Sequence, residues 1–331
     1  MHQVENKVVK EKDIRPKKLF KKFLHLSQLD IKKYFKKFGS KINCIACNRK
    51  GNFSFKKNNF TYCLCPNCKT LFVNPRPSEK AFSEYYTKSA SIKFFATNYY
   101  KKTKKNRTNK IWKPKAKMIY EIIKKYKIKN TNFIDIGGGY GIFAKEISKL
   151  VKSNVVVIEP SPFLAAECRK KKLKVVEKFL ENVQEEDLPN GKKVFTSFEL
   201  LEHLVNPSKF IKNTRKLMKK NDLLILSTLS STGADILTLW DKSKSVSPPH
   251  HINFFNPKSI SIFLKKYKFK IINISTPGKL DINILDNNKI LIKDRFWRTF
   301  ADLASESEKS KMQNLISNIN FSSHMMVICK K

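Results

Sequence analysis

Apolar positions along the chain follow two alternating rhythms. Phe133, Ile134 and Ile136 form a short apolar run that ends in a glycine-rich turn; Ile142, Phe143 and Ile147 then recur at helical spacing, and a second run, Val155–Ile158, closes on Glu159. Short apolar runs bounded by glycine read as buried strands, and the 3.6-residue period between them as a crossover helix. The alternation continues through residues 194–198, 222–228, 270–274 and 323–329, which the pattern predicts as the fourth, fifth, sixth and seventh strands. An α/β chain built on a doubly wound sheet follows. The first forty residues keep a helical rhythm of their own, with Phe20, Phe23, Leu24, Ile31, Phe35 and Phe38 on one face and lysine pairs between them.

The turn between the first two strands reads Asp135-Ile136-Gly137-Gly138-Gly139-Tyr140-Gly141. Glycine lets a backbone turn sharply and approach a ligand where a β-carbon would collide. A carboxylate about twenty residues on, at the tip of the next parallel strand, can accept both hydroxyls of a ribose, and Glu159 stands there. Dinucleotide enzymes share this layout, but their third glycine falls where this chain has Ile142. Asp135, two residues before the first glycine, suits a ligand that brings an ammonium group and no phosphate. The segment resembles motif I of the class I S-adenosylmethionine-dependent methyltransferases. That resemblance implies a Rossmann-like seven-stranded sheet, its last strand antiparallel and inserted beside the fifth, with Asp135, Gly137, Gly139, Gly141 and Glu159 holding S-adenosylmethionine.

A chain of 331 residues, 41% apolar, is long enough for one sizeable core and a smaller module. No apolar run approaches the roughly twenty residues of a membrane span, and residues 1–5 carry no signal-peptide core, so a cytoplasmic location is expected. The net charge of +41 raises the question of a polyanionic partner, yet only 8 of the 68 basic residues are arginine. Nucleic-acid sites lean on arginine for bidentate contacts, and lysine enrichment spread over every segment is the pattern of codon drift. A nucleic-acid partner is therefore disfavoured. The densest basic stretch, residues 1–40, could still meet a membrane surface as an amphipathic helix, although such a stripe more often packs on its own domain.

Cys44-x2-Cys47 and Cys65-x2-Cys68 are two knuckles with the spacing of a tetrahedral, structural zinc site, Cys63 being a spare thiol that could replace Cys65. Cys168 and Cys329 read as small buried apolar residues. The phrase Phe72-Val73-Asn74-Pro75-Arg76-Pro77-Ser78 after the second knuckle, followed by Tyr85-Tyr86, is similar to the N-terminal module of bacterial methyltransferases of sugar and surface-polysaccharide pathways. The organisation expected is a basic arm (1–40), a zinc module (41–78), a helical linker or lid (79–128) and a methyltransferase domain (129–331).

After the fourth strand comes Glu199-Leu200-Leu201-Glu202-His203-Leu204, and after the fifth comes Pro248-Pro249-His250-His251-Ile252-Asn253-Phe254-Phe255. Both phrases resemble segments of small-molecule methyltransferases, and in the second a loop histidine faces the substrate pocket. Ligands of open α/β sheets sit at the carboxyl ends of the strands, so His203 or His251 is expected as general base. Neighbouring side chains in an extended loop point apart, which argues against His250 and His251 sharing an ion. Acidic residues gather between Glu177 and Glu202, including Glu181, Glu185, Glu186, Asp187 and Glu199, and would favour a sulfonium cation.

The acceptor expected from these resemblances is a sugar or sugar nucleotide of a surface glycan. C-methylation of a keto-sugar is in doubt, because sugar C-methyltransferases with this module usually carry a further C-terminal domain, and O- or N-methylation is at least as plausible. The alternative is an RNA methyltransferase that binds RNA through the basic arm and zinc module. RNA base methylases commonly show an N/D-P-P-Y-type or cysteine motif after the fourth strand, where this chain reads Phe198-Glu199-Leu200-Leu201. A non-catalytic zinc scaffold is disfavoured by the glycine turn and Glu159, and a nicotinamide oxidoreductase by Ile142.

Overall fold

The computed structural model describes residues 9–126, 128 and 131–331. A single turn, α1 (Glu11–Ile14), leads into α2 (Lys17–Tyr34), whose apolar stripe turns inward. Phe23, Ile31 and Phe35 are buried; the Phe23 ring lies 5.4 Å from Phe95 and 5.1 Å from His250, and Phe35 lies 5.3 Å from Phe60. Burying a side chain of this size contributes ~1.5–3 kcal/mol, so these three hold the arm on the protein. Of the two readings of the stripe, packing on its own domain is the one seen for these residues, while Lys17, Lys18, Lys21, Lys22, Lys32 and Lys33 face solvent. Among the described residues no helix is long and apolar enough to cross a membrane.

Strands β1 (Asn52–Lys57), β2 (Phe60–Leu64) and β3 (Leu71–Val73) form an antiparallel sheet around the two cysteine knuckles. A helical run follows: α3 (Glu79–Lys88), α4 (Ala90–Phe94), a π-helical stretch Phe95–Tyr100, α5 (Lys101–Arg107), a second π-helical stretch Thr108–Trp112, and α6 (Lys113–Lys125). This run spans the segment expected as a helical linker or lid. Single π turns inside a helix change which face its side chains present, and here the run turns Tyr99 and Tyr100, and later Lys115 and Ala116, inward.

The large sheet starts at β4 (Asn132–Ile136), then α7 (Ile142–Ser148), β5 (Val155–Ile158), α8 (Pro162–Arg169), β6 (Lys174–Val176), β7 (Lys193–Phe198), α9 (Pro207–Leu217) and β8 (Leu223–Leu229). After α10 (Ala234–Leu239) and the short β9 (Asn253–Phe254) come α11 (Pro257–Lys266), β10 (Lys270–Ser275), α12 (Asp281–Asn287), α13 (Arg295–Leu303), α14 (Glu306–Asn318) and β11 (His324–Lys330). The order is β10-β11-β8-β7-β4-β5-β6. Strands β4 to β8 are mutually parallel, and β11 runs antiparallel between β8 and β10, as expected. Alternate residues of each strand enter opposite faces. Ile134, Val156 and Phe195 join α9, α11 and the cysteine cluster in one core; Phe133, Val157 and Val194 join α6 and α7 in the other.

One feature ties the module to the sheet. β9, in the loop segment after β8, pairs with β3 and supplies the fourth strand of the small sheet. Nearby, Asn256 Nδ2 donates to Cys68 O (2.8 Å) and Ser231 Oγ to Lys69 O (2.8 Å), so the second knuckle holds both ends of the loop that carries His250 and His251.

Candidate active site

The glycine turn links β4 to α7 at the carboxyl edge of the sheet. Gly137, Gly139 and Gly141 have φ of 70°, 55° and 62°, a region that side chains disfavour. A β-carbon would meet Leu200 at 2.8 Å from Gly137 and Cys168 Sγ at 2.7 Å from Gly141, whereas nothing lies within 4 Å of the position at Gly139. The open flank at Gly139 is where a ligand can touch backbone. Cys168 and Cys329 are fully buried, as expected.

Asp135 and Glu159 flank this turn. Asp135 Oδ1 accepts from Thr196 Oγ1 (2.8 Å), and burial pushes its carboxyl up to about 7 although that bond opposes it. Glu159 is 6% exposed; its Oε2 accepts from Gly139 N (2.9 Å) and its Oε1 from Ser161 N (3.0 Å). Burial raises Glu159 as well, against those two bonds. Each oxygen keeps a lone pair for a further donor.

The helical run packs against the turn. Tyr100 stacks on Tyr140 at 4.2 Å with rings 5° from parallel, and Tyr140 OH donates to Ala96 O. The remaining cleft, about 20 Å³ between Trp112, Asp135, Gly137, Gly138 and Phe198, holds about one water. On the inner face of α6 stands a residue that nothing in the pattern singles out: Lys115, buried, donates to Ser227 Oγ (3.1 Å), lies 3.6 Å from Glu199 Oε1 and sits over the Phe198 ring at 4.6 Å. Its signal is one lysine on the apolar face of α6, lost among so many others.

Glu199 directly follows β7 with φ 52°, an uncommon conformation for a residue with a side chain. Its carboxylate accepts from Ser227 Oγ (2.6 Å) and lies 3.2 Å from His324 Nδ1. Burial works to raise it, but the charges of His324 and Lys115 hold it well below the usual carboxylate range. His324, also unforeseen, arrives because antiparallel β11 begins beside the end of β8. The acidic window is corrected in part: Glu181, Glu185 and Asp187 are paired with Lys209, Lys219 and Lys178 after β6, so Glu199 and Glu202 are its members in this cleft.

His203 and His251 converge from different loops, ring centroids 4.8 Å apart. His251 Nδ1 lies 2.6 Å from the Ser245 carbonyl, which can only accept, so Nδ1 carries the proton and Nε2 a lone pair. Burial is the main cause that lowers His203 to about 4 and His251 to about 3. Both are neutral at neutral pH. Tyr86 OH contacts His203 Nδ1 (3.3 Å), and Tyr85 OH contacts His250 Nε2 (2.9 Å), so the tyrosine pair of α3 engages two histidines separately. His250 stands outside the group of donor atoms that His251 joins. Glu202, pushed well up by burial and by Glu199, accepts from Thr228 Oγ1 (2.9 Å). Donor atoms of Glu202, His203 and His251 lie within 4.8 Å of one another, close enough to share an ion or a proton.

The cysteine cluster resolves the choice between Cys63 and Cys65. Cys44 Sγ is 3.5 Å from Cys68 Sγ and Cys47 Sγ 3.4 Å from Cys65 Sγ, with all four inside 4.8 Å, while Cys63 stands outside the group. A tetrahedron with metal–sulfur bonds of ~2.3 Å has edges of ~3.8 Å, so the four thiols fit that chemistry. The residue after each knuckle, Asn48 or Lys69, has positive φ, giving two like turns that face each other.

A glycine turn on the first strand, an acid at the tip of the second and antiparallel β11 beside β8 are joined by a sequence finding: residues 96–274 match the family model described as a methyltransferase domain. The chain belongs to the methyltransferase-domain family. It is an S-adenosylmethionine-dependent methyltransferase. A curated relative, the ubiquinone biosynthesis O-methyltransferase of Pelagibacter ubique (strain HTCC1062), is 30% identical over 211 residues, covering 55% of this chain and 77% of its own. Among solved structures, the plantazolicin methyltransferase BpumL in complex with SAH is similar at 11% identity and a TM-score of 0.48, over 76% of this methyltransferase and 93% of that chain. Coclaurine N-methyltransferase bound to N-methylheliamine and SAH is similar at 17% identity and a TM-score of 0.40, over 65% and 72%.

Proposed function

We propose that this methyltransferase methylates an oxygen or nitrogen of a small molecule, a sugar or sugar-nucleotide precursor of a surface glycan, with His251 taking the acceptor's proton. The observation that carries the proposal is the tautomer of His251: the Ser245 carbonyl claims Nδ1–H, which leaves a neutral imidazole with Nε2 free to accept. His203, 4.8 Å away, is the second candidate, with Tyr86 on its Nδ1. The relative from Pelagibacter ubique favours oxygen as the methylated atom, and the phrase from Phe72 to Ser78 favours a sugar.

S-adenosylmethionine, when bound, supplies a methyl group on a cationic sulfur. On this reading Asp135 holds the ammonium of its amino-acid end, Glu159 accepts the ribose hydroxyls, and Gly137, Gly139 and Gly141 admit it to backbone contact. Glu199, kept ionised by Lys115 and His324, contributes negative potential beside the sulfur. Cys44, Cys47, Cys65 and Cys68 would hold a structural zinc that fixes the loop bearing His251. The test is turnover of sugar nucleotides with labelled donor at saturation, in wild type and in His251→Ala and His203→Ala. Undiminished turnover in both variants would end the proposal.

A further inference from the structure

We infer that Arg15 of the N-terminal arm recognises an anionic group, carboxylate or phosphate, on the acceptor, an inference that rests on the proposed use of His251. Arg15 is strapped into place from two sides. The Ile14 carbonyl before it accepts from Tyr99 OH (2.8 Å) and from Arg107 Nη2 (3.1 Å), both on the helical run. On the other side Glu11 N donates to Asn283 Oδ1 (2.7 Å), and Asn287 Nδ2 donates to Glu11 Oε2 (3.1 Å). So held, Arg15 donates through Nη2 to Ser245 Oγ (3.3 Å), on the same residue whose carbonyl fixes His251. Its charge is one of the causes that lower His251, after burial and His203.

The guanidinium has capacity left. Among the described residues its hydrogen bonds go to Ser245 Oγ and, at 3.5 Å, to Glu11 Oε1, so three of its five N–H donors are available. Its charge is only partly matched: it pairs with Glu11 (3.5 Å) and lies 5.6 Å over the Phe20 ring, but that carboxylate serves two cations. Glu11 is shared with Lys244, 3.9 Å away; Lys57 donates to Ser243 O (2.8 Å); and Asp241 pairs with Lys242. Asp235, which lies in the field of Arg15, is pushed well up by burial and by Asp281, and so adds no full negative charge. The loop that carries His251 is therefore ringed by cation in excess, next to a cleft whose other end is acidic. A planar fork with spare donors matches a carboxylate or phosphate, and pairs of that kind are stronger than neutral hydrogen bonds.

The probes are D-glucose, D-glucuronate and glucose 1-phosphate, titrated into the full chain while long-range ¹H–¹⁵N spectra follow the His251 ring, assigned with His251→Asn. We expect one or both anions, but not glucose, to shift His251; the more effective anion tells carboxylate from phosphate. Arg15→Ala should weaken that anion roughly tenfold or more, with Arg15→Lys between the two. Arg15→Gln, which keeps a donor for Ser245, guards against simple release of the arm. No shift with either anion, or equal binding by Arg15→Ala, overturns the inference. S-adenosylhomocysteine titrated into the same proteins separates the two readings. Its binding to wild type and Arg15→Ala alike leaves the donor site standing, and its failure to bind wild type would remove the methyl-transfer reading instead.

Discussion

The two ends of the cleft lie on one sheet edge and are built in opposite ways. At the glycine turn, Asp135, Gly137, Gly139 and Glu159 come from β4, β5 and the turn between them, and the acids are held by hydrogen bonds within that unit or from β7. At the histidine end, His203 follows β7, His251 follows β8, Tyr86 comes from α3 and Arg15 from the arm, and their register is set by the knuckle carbonyls and by β9. The first end is acidic and local; the second is cationic at its rim and assembled over long range. A local unit survives much change elsewhere. An assembled one fails wherever a distant support fails, so perturbations of the two ends should separate cleanly.

The largest separation is expected from His251→Ala. Loss of a positioned proton acceptor costs ~10²–10⁴-fold in turnover, while S-adenosylhomocysteine affinity, read by calorimetry, should stay within about twofold because no atom of the turn contacts that ring. An equal loss of affinity would mean that the two ends are one.

Cys68→Ser comes next. It opens the tetrahedron and frees the Asn256 and Ser231 bonds to the knuckle carbonyls, at a cost on the order of 4 kcal/mol in stability. Thermal unfolding and metal analysis of the purified protein measure this, and acceptor turnover should fall with the metal content. If the wild-type protein holds no metal and is fully stable, the knuckles do not support the histidine end through an ion.

How much of each end was legible follows from the same difference. The turn, Glu159 and the strands themselves could be read because each signal lies within a short window: a glycine cluster, an acid at a strand tip, apolar runs of strand length; the place of the last strand came only through the resemblance. The four cysteines were legible by spacing, and the geometry chose Cys65 over Cys63. His203 and His251 could be named only through motif resemblance. Lys115, His324 and Arg15 carry no local signal, since lysine abounds everywhere in this chain and the positions become meaningful only when β11 inserts beside β8 and the arm crosses to Ser245. The acidic window misled because sequence counts charges without their partners, and lysines after β6 cancel most of it. The arm's stripe was ambiguous for a similar reason: periodicity gives a face but not what covers it.

A smaller effect belongs to the acidic end. Asp135 titrates near 7, raised by burial, so it is neutral below that pH and ionised above it. An ammonium ligand is attracted only by the ionised form. Affinity for S-adenosylhomocysteine should therefore rise as pH increases through about 7, by up to roughly tenfold per unit below it, and Asp135→Asn should flatten the dependence. The histidines, at about 4 and 3, stay neutral across this range and contribute no slope. A profile that bends in the same place in Asp135→Asn would assign the titration elsewhere.

The smallest effect distinguishes Tyr85 from Tyr86, adjacent residues of α3 with different duties. Tyr85 is fully buried, bonded to Ser91 Oγ (3.0 Å) and His250 Nε2 (2.9 Å), so Tyr85→Phe leaves two buried groups short of a partner and should appear mainly as lost stability, ~1–3 kcal/mol. Tyr86 is 36% exposed, and its 3.3 Å contact to His203 Nδ1 is long. Tyr86→Phe should leave the unfolding temperature within a degree or two and lower turnover only about two- to tenfold, the value of one modest hydrogen bond. If Tyr86→Phe instead unfolds the protein while Tyr85→Phe slows it, the histidine end is held by the exposed tyrosine, and the division between support and chemistry along α3 is the reverse of the one argued from burial.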